Sequence, residues 1–405
     1  MSPFSQAPDP QSGHDAPALP PTAPLVVFGA ASERYDFGPG HPLTPRRFGP
    51  GIDLLRTVGA TRFEEPVVAS DDALVRIHDR AYVLLVRQAS ADGGAQSVVG
   101  IVPWGDTPPF RGMHEAAAIV AGGSLVAIER ILAGTALRAF HPGGGLHHGM
   151  PGHASGFCIY NDVALAIRRA RDAGERVMYV DLDVHHGDGV EAAFWNDPGV
   201  LTVSIHETGL VLFPGSGFVE DRGGPHAHGS AVNLPLEPGT SDGSWLESVE
   251  LLVPPLAAAF HPTILVTQHG SDSHALDPLG HLRITTRAMR SAALLLDRIA
   301  HEHAGGRWLA TGGGGYDVYR VVPRAWALVW LAQAHRDPAE ETPAAWRVRW
   351  TAEAARYRQA PVPAPMLDPD GLAEPETGEV RDRNLATARD ALGVAERVLK
   401  GADAA

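Results

Sequence analysis

Short apolar runs alternate along the chain with longer apolar or amphipathic stretches. Leu25-Val26-Val27-Phe28-Gly29 is the first run that reads as a strand. Val98–Val102, Leu137–Phe140, Val177–Val180, Val200–Ser204, Thr263–Thr267 and Trp308–Thr311 follow. Short, near-continuous hydrophobic runs of this kind suit strands buried on both faces. Between them, Ile52–Val58, Asp71–Gln88, Met113–Leu132, Asn161–Ala173, Trp245–Phe260 and Thr286–His301 read as helices. Asp162 stands near the start of its helix and Gly174 at its stop. Pro254-Pro255 is expected to kink or split the Trp245–Phe260 helix. Strands alternating with helices predict βαβ units and an α/β fold on a parallel sheet.

Both ends depart from this pattern. Residues 1–24 are rich in Pro, Ala and Ser, with no basic start and no apolar run. That composition predicts a disordered tail and not a signal peptide. Beyond His335, Pro338, Pro343, Pro361, Pro363 and Pro365 interrupt the alternation, and Arg383–Leu399 reads as a final helix. The expected organisation is a tail over 1–24, one domain over 25–335 and a helical extension over 336–405. No internal repeat is visible.

Composition narrows the class. The 405 residues are 44% hydrophobic and 20% charged, which fits a folded core and not a disordered chain. A formal net charge of -14 argues against nonspecific nucleic-acid binding. It suits a basic ligand, such as a Lys-rich tail or a polyamine, although many soluble enzymes are equally acidic. Cys158 is the single cysteine, so no intrachain disulfide can form and a reducing compartment is expected. No stretch reaches membrane-spanning length. The expectation is a cytoplasmic protein.

Four segments carry chemistry, each just past an expected strand. They are Gly143-Gly144-Gly145-Leu146-His147-His148, Asp181-Leu182-Asp183-Val184-His185-His186-Gly187-Asp188-Gly189, His269-Gly270-Ser271-Asp272 and Gly312-Gly313-Gly314-Gly315-Tyr316. Asp183 and His185, two residues apart on an extended stretch, point to one side. With Asp272 they make three candidate ligands and leave a metal position open, the pattern of a catalytic site. One Asp-x-His alone is more often a buried salt bridge; ligands from a second strand end and a His pair on a third favour a metal. His147 and His148 follow glycines, and a neutral imidazole there can move a proton. Asp181 and Asp188 are natural partners that would orient them. Tyr316, in its Gly-rich loop, can donate a hydrogen bond to a carbonyl oxygen. No Gly-Lys-Ser/Thr follows those glycines, so a phosphate loop is disfavoured. Phe157 and Phe213, taken singly, read as core.

These segments resemble the zinc-dependent histone deacetylase family, in its bacterial acetoin-utilisation branch. The matching stretches are Gly144–His148, Ala154-Ser155-Gly156-Phe157-Cys158-Ile159-Tyr160-Asn161-Asp162, Tyr179–Val190, Phe213-Pro214-Gly215 and Gly313–Tyr316. Thr267–Asp272 and Asp277-Pro278-Leu279 resemble that branch especially. The resemblance runs from about Val26 to Leu331.

It implies an arginase/deacetylase-type fold: one domain with a parallel eight-stranded sheet and helices on both faces. It implies zinc, or ferrous iron, on Asp183, His185 and Asp272, with His148 as general base then acid and His147 as electrostatic helper. Asp181 and Asp188 would pair with these histidines, and Tyr316 would polarise an acetyl carbonyl. A structural potassium near Asp181 and Ser204 is also implied. Phe157 and Phe213 would sandwich a lysine stem, with Gly156, Leu279 and Gly314 beside them. Asp106 matches a rim aspartate that holds the substrate backbone, while Gly105 stands where animal enzymes carry a tyrosine.

The implied activity is removal of acetyl groups from protein lysines, with an acyl-CoA synthetase as a candidate partner. An acetylpolyamine amidohydrolase would use the same chemistry. A manganese ureohydrolase would want a second late-strand Asp where His274 stands. A non-catalytic acetyl-lysine binder would be expected to have lost a ligand or Tyr316, and none is lost.

Overall fold

The computed structural model describes residues 23–93, 97 and 99–402. Most of the expected N-terminal tail, and Val98, lie outside the described residues. The strands are β1 (Leu25–Val27), β2 (Phe63–Glu64), β3 (Arg138–His141), β4 (Val177–Asp181), β5 (Val200–Glu207), β6 (Ala231–Leu236), β7 (Ile264–Gln268) and β8 (Trp308–Thr311). They form one sheet in the order β2-β1-β3-β8-β7-β4-β5-β6, every pair parallel. The helices are α1 (Phe48–Thr57), α2 (Asp71–Leu74), α3 (Arg80–Asp92), α4 (Met113–Leu132), α5 (Asp162–Asp172) and α6 (Asp188–Phe194). After them come α7 (Asp242–Phe260), α8 (Thr286–Ala304), α9 (Val322–Gln333), α10 (Ala344–Arg356) and α11 (Gly378–Ala402). No helix among the described residues is long and apolar enough to cross a membrane.

Alternation along the strands builds two apolar layers. Val177 and Tyr179 of β4 pack with α4, α5 and α6, while Met178 and Val180 pack with α7, α8 and α9. The sheet is thus covered on both faces, as the resemblance implied. The segment beyond residue 335 packs into the second of these layers. Trp346, Trp350, Met366, Ala388 and Ala391 all belong to it.

Four local expectations change. Asp71–Gln88 is two helices because buried His78 lies between them: its Nδ1 lies 3.0 Å from Met150 O, and Asn161 N–H donates to its Nε2 (3.0 Å). Those tertiary bonds outweigh the helical pattern. Val99–Val102 is a turn with a single bridge residue at Ile101, not a strand. Pro254-Pro255 does not split α7. The carbonyls the prolines leave free, on Glu250 and Leu251, lie on its less buried side, where water can serve them. β2, β6, α6, α9 and α10 complete the fold without having been expected.

Candidate metal centre and active site

β3, β8, β7 and β4 are consecutive neighbours in the middle of the sheet. Their carboxyl ends lead into the four chemistry-bearing loops. Residues up to 173 positions apart in sequence, Gly143 and Tyr316, therefore meet at one edge, where chain order along the sheet reverses.

Asp183, His185 and Asp272 are buried, with one ligand atom from each within 4.8 Å of the others. His185 Nδ1 lies 3.1 Å from Asp183 Oδ1 and 3.2 Å from Asp272 Oδ2. A single ring N–H cannot serve both carboxylates, and Asp272 Oδ2 is a buried acceptor with no hydrogen bond. The other oxygens are held by the backbone: Gly314 N–H donates to Asp183 Oδ2 (2.7 Å) and Val184 N–H to Asp272 Oδ1 (3.0 Å). Burial and the neighbouring Asp183 push Asp272 up to about 6. Asp183, against its burial, is held well below the ordinary carboxylate range by His147 and His185. Crowded buried carboxylates, one with an orphaned oxygen, fit a divalent cation. Gly314 allows the close approach, because a Cβ there would fall 1.9 Å from Asp272 Oδ2.

The two histidines beside this group differ. Their rings are 3.9 Å apart. His147 Nδ1 donates to Asp181 Oδ2 (2.8 Å), and its Nε2 is 3.8 Å from Asp183 Oδ1. Burial opposes its charge, but these carboxylates outweigh it and raise its pKa to about 9. His148 Nδ1 donates to Asp188 Oδ1 (2.7 Å). Burial and the charge on His147 lower its pKa to about 4 despite Asp188. The same loop thus pulls its two imidazoles in opposite directions, His147 toward its charged form and His148 toward its neutral one.

A cavity of about 290 Å³ leads to this floor. Phe157, Phe213, Leu279, Gly156, Gly314, Asp106 and Tyr316 all line it. Phe213 packs edge-on to His148 at 5.0 Å and Phe157 edge-on to Tyr316 at 6.0 Å. Phe157 and Phe213 are therefore walls of the cavity, not core. Burial, then Asp272 and Asp183, raises the Tyr316 phenol well above its usual value, so it stays an O–H donor. Asp106 is exposed at the mouth and accepts from Gly156 N–H (3.0 Å). Ser204 pairs in register with Asp181 across β4 and β5.

Several supporting residues escaped the sequence. Asn161 caps α5 by accepting from Ala164 N–H and donates to the carbonyls of His147 and Gly149 (3.0 and 3.1 Å). Buried Asp162 accepts from Gly145 and Leu146 N–H. Together they fix the histidine loop. Arg47, buried in the cavity wall, donates to Gly313 O (2.8 Å). Asp277 accepts from Tyr316 N–H (2.8 Å) and Leu279 N–H (3.1 Å), tying two walls together. Tyr179 O–H donates to Asp181 Oδ2 (2.7 Å). Asn161, Asp162 and Asp277 lie inside the matching stretches and could have been found there. Arg47 has no local signal.

Among the other histidine-carboxylate groups of the described residues, two that also hold an arginine lie away from the cavity. His274 Nε2 is 2.8 Å from Asp368 Oδ2, which also accepts from Thr286, while Arg324 donates to Asp368 Oδ1 (2.7 Å). His274 is committed to the C-terminal segment, which removes it as a metal ligand. Asp297, His301 and His335 also converge within 4.8 Å. There, however, Arg138 Nη2 sits 2.6 Å from His301 Nε2 and already supplies the positive charge.

Residues 41–333 match the histone deacetylase domain family. The acetoin utilization protein AcuC of Bacillus subtilis (strain 168) is 40% identical over 383 residues, covering 91% of this chain and 96% of that protein. AcuC of Staphylococcus xylosus is 39% identical over 320 residues, covering 77% and 83%. Among solved structures, an HDAC homolog complexed with SAHA superposes with a TM-score of 0.79 at 26% identity. It covers 91% of this chain and 99% of that one.

Proposed function

The chain belongs to the histone deacetylase family, in its bacterial acetoin-utilisation branch, and we propose on that premise that it hydrolyses the acetyl amide of lysine side chains in proteins or peptides. One observation carries this reading. Asp183, His185, His148 and the Tyr316 phenol line one narrow cavity whose aromatic walls suit a lysine stem, with Asp272 buried directly behind Asp183 and His185.

Asp183, His185 and Asp272 would hold a divalent cation, zinc in our reading, though ferrous iron also suits an Asp/His set. When bound, that cation supplies the Lewis acidity that activates water and polarises a carbonyl. The chain's own groups do the rest. His148 Nε2 takes a proton as the water oxygen bonds to the acetyl carbon. Tyr316 O–H donates to the carbonyl oxygen as negative charge grows there. His147, hydrogen-bonded to Asp181 beside the same floor, acts as electrostatic helper to that charge. The carbon–nitrogen bond then breaks, and His148 returns its proton to the leaving amine, giving lysine and acetate. Asp188 holds the His148 ring so that Nε2 faces the cavity. Asp106 would hold the substrate backbone at the mouth. A monovalent cation, potassium, beside Asp181 and Ser204 belongs to the same reading, as do a cytoplasmic location and an acyl-CoA synthetase as substrate.

Acetate release from an acetyl-lysine peptide by zinc-reconstituted protein tests this, with Asp183→Ala alongside. Turnover by the wild type alone is expected. Turnover of acetylputrescine with none of the peptide would move the assignment to an acetylpolyamine amidohydrolase.

A further inference from the structure

Among the described residues, thirteen large hydrophobic side chains are exposed, and six of them lie in two short segments beside the cavity. Val99, Val102 and Trp104 belong to the first; Leu210, Val211 and Phe213 belong to the second. Trp104 is 98% exposed and Leu210 79% exposed. Large apolar groups gathered in this way mark a binding surface more often than chance exposure.

Both segments are continuous with the cavity wall. Asp106, two residues past Trp104, and Leu212 and Phe213 line the cavity. The first segment is stitched to the aromatic wall by Ala154 N–H to Val99 O (3.2 Å), Gly156 N–H to Asp106 Oδ2 (3.0 Å) and Phe157 N–H to Thr107 Oγ1 (3.1 Å). Asp106 and Phe213 line the cavity and are also exposed, which puts them at its mouth. Both segments therefore reach the mouth of the cavity.

Their charge is equally telling. Residues 99–105 read Val-Gly-Ile-Val-Pro-Trp-Gly and residues 209–215 read Gly-Leu-Val-Leu-Phe-Pro-Gly. Neither contains an acid or a base, in a chain with a net charge of -14. Asp106, the carboxylate that follows the first segment at the mouth, already accepts from Gly156 N–H (3.0 Å) and from Thr107 O–H (3.1 Å), so the segments themselves offer no charge to a Lys-rich tail or a polyamine.

We propose that Trp104, Leu210 and Val211 form an apolar rim that selects acetyl-lysines flanked by bulky apolar or aromatic residues in an extended peptide. This rests on the deacetylase reading above. Contact with the flanking residue persists unchanged from bound substrate to transition state. The preference therefore shows mainly in KM.

The test compares kcat/KM for acetyl-lysine tripeptides flanked on both sides by Gly, Leu or Lys. Leu flanks are expected to exceed Gly flanks by about tenfold, the low end of what an apolar subsite discriminates. Lys flanks should not exceed Gly. In Trp104→Ala and in Leu210→Ser the Leu-to-Gly ratio should fall toward one. Val348→Ser, a similarly exposed residue on α10, should keep it. Equal rates for Leu and Gly flanks, a preference for Lys, or an intact ratio in both rim variants would overturn the rim alone. No turnover of any peptide, Gly-flanked included, would overturn the deacetylase reading as well.

Discussion

Asp183, His185 and Asp272 look much like Asp297, His301 and His335 on paper. Each group offers carboxylate and imidazole ligands within the same 4.8 Å. They sit at opposite edges of the sheet, the first past the carboxyl ends of β4 and β7, the second near the start of β3. What separates them is charge. The first is fully buried, has two crowded carboxylates and leaves Asp272 Oδ2 without a hydrogen bond. The second is partly exposed, has one carboxylate and already holds the Arg138 guanidinium against His301. The Asp368–His274 pair follows the second pattern, with Arg324 in the place of Arg138. Ligand types and distances alone do not separate the two groups; burial, carboxylate number and a resident arginine do.

The largest test of that distinction removes a ligand from each. Asp272→Ala is expected to abolish both metal uptake and turnover, whereas His335→Ala should leave both within about twofold of wild type, as surface changes away from function do. Metal content per chain and acetate release read both. Loss of metal in His335→Ala would break the comparison.

The next effect is on stability. Asp368 is buried and, although burial raises its pKa, the His274 hydrogen bond and Arg324 hold it far below the ordinary carboxylate value. A depressed folded-state pKa stabilises above the unfolded value, near 4, and that contribution is lost as pH falls through the folded one. Asp368→Ala should therefore cost about 3–5 kcal/mol at neutral pH, because Arg324 is left buried and unpaired. The deficit should shrink as the wild type is acidified below about pH 4. Urea unfolding of both proteins against pH measures this, and a deficit that does not vary with pH would deny the ion pair its role.

Tyr316→Phe stays inside the cavity and keeps every ligand. It should lower kcat by about 10²–10³, as the loss of one oxyanion donor does, with metal content unchanged. An unaltered kcat would remove Tyr316 from the reaction.

Much of this site was legible, for reasons that can be named. The Asp-x-His spacing was readable, but β4 ends at Asp181 and the chain bends over 183–185, where His185 N–H donates to Asp183 Oδ1 (3.1 Å) and brings the two side chains together. Val177–Val180 is apolar on both faces because the sheet is covered twice, so the strand leading to them is plain. Other parts were hidden because their cause lies elsewhere in the chain. The break between α2 and α3 comes from His78 reaching Met150 and Asn161. β6 carries Pro235, which cannot donate to a ladder and is accommodated at the sheet edge, where β6 lies. α9 is buried on all sides and so shows no periodicity. Arg47 acts on Gly313, 266 positions away, and nothing near it in sequence announces the contact.

The smallest expected effect is the most discriminating. If a resident arginine is what makes Asp297, His301 and His335 a structural cluster, then removing its charge should uncover a metal site. Arg138→Gln keeps a polar side chain that can still donate to Gln333 O, which Arg138 Nη1 serves at 3.1 Å. It frees His301 Nε2, which then faces His335 Nε2 at 3.1 Å and Asp297 Oδ1 at 3.7 Å. Two imidazoles and a carboxylate at that spacing suit zinc or cobalt(II). The affinity should be modest, because the group is partly exposed and only one carboxylate contributes charge. Cobalt titration followed by visible absorption should show a second equivalent bound by Arg138→Gln and one by wild type. That second equivalent should disappear in the double variant with His335→Ala. A second equivalent already present in wild type would mean that the guanidinium does not exclude metal. No second equivalent in Arg138→Gln would mean that burial and carboxylate number, more than the arginine, set the difference between the two groups.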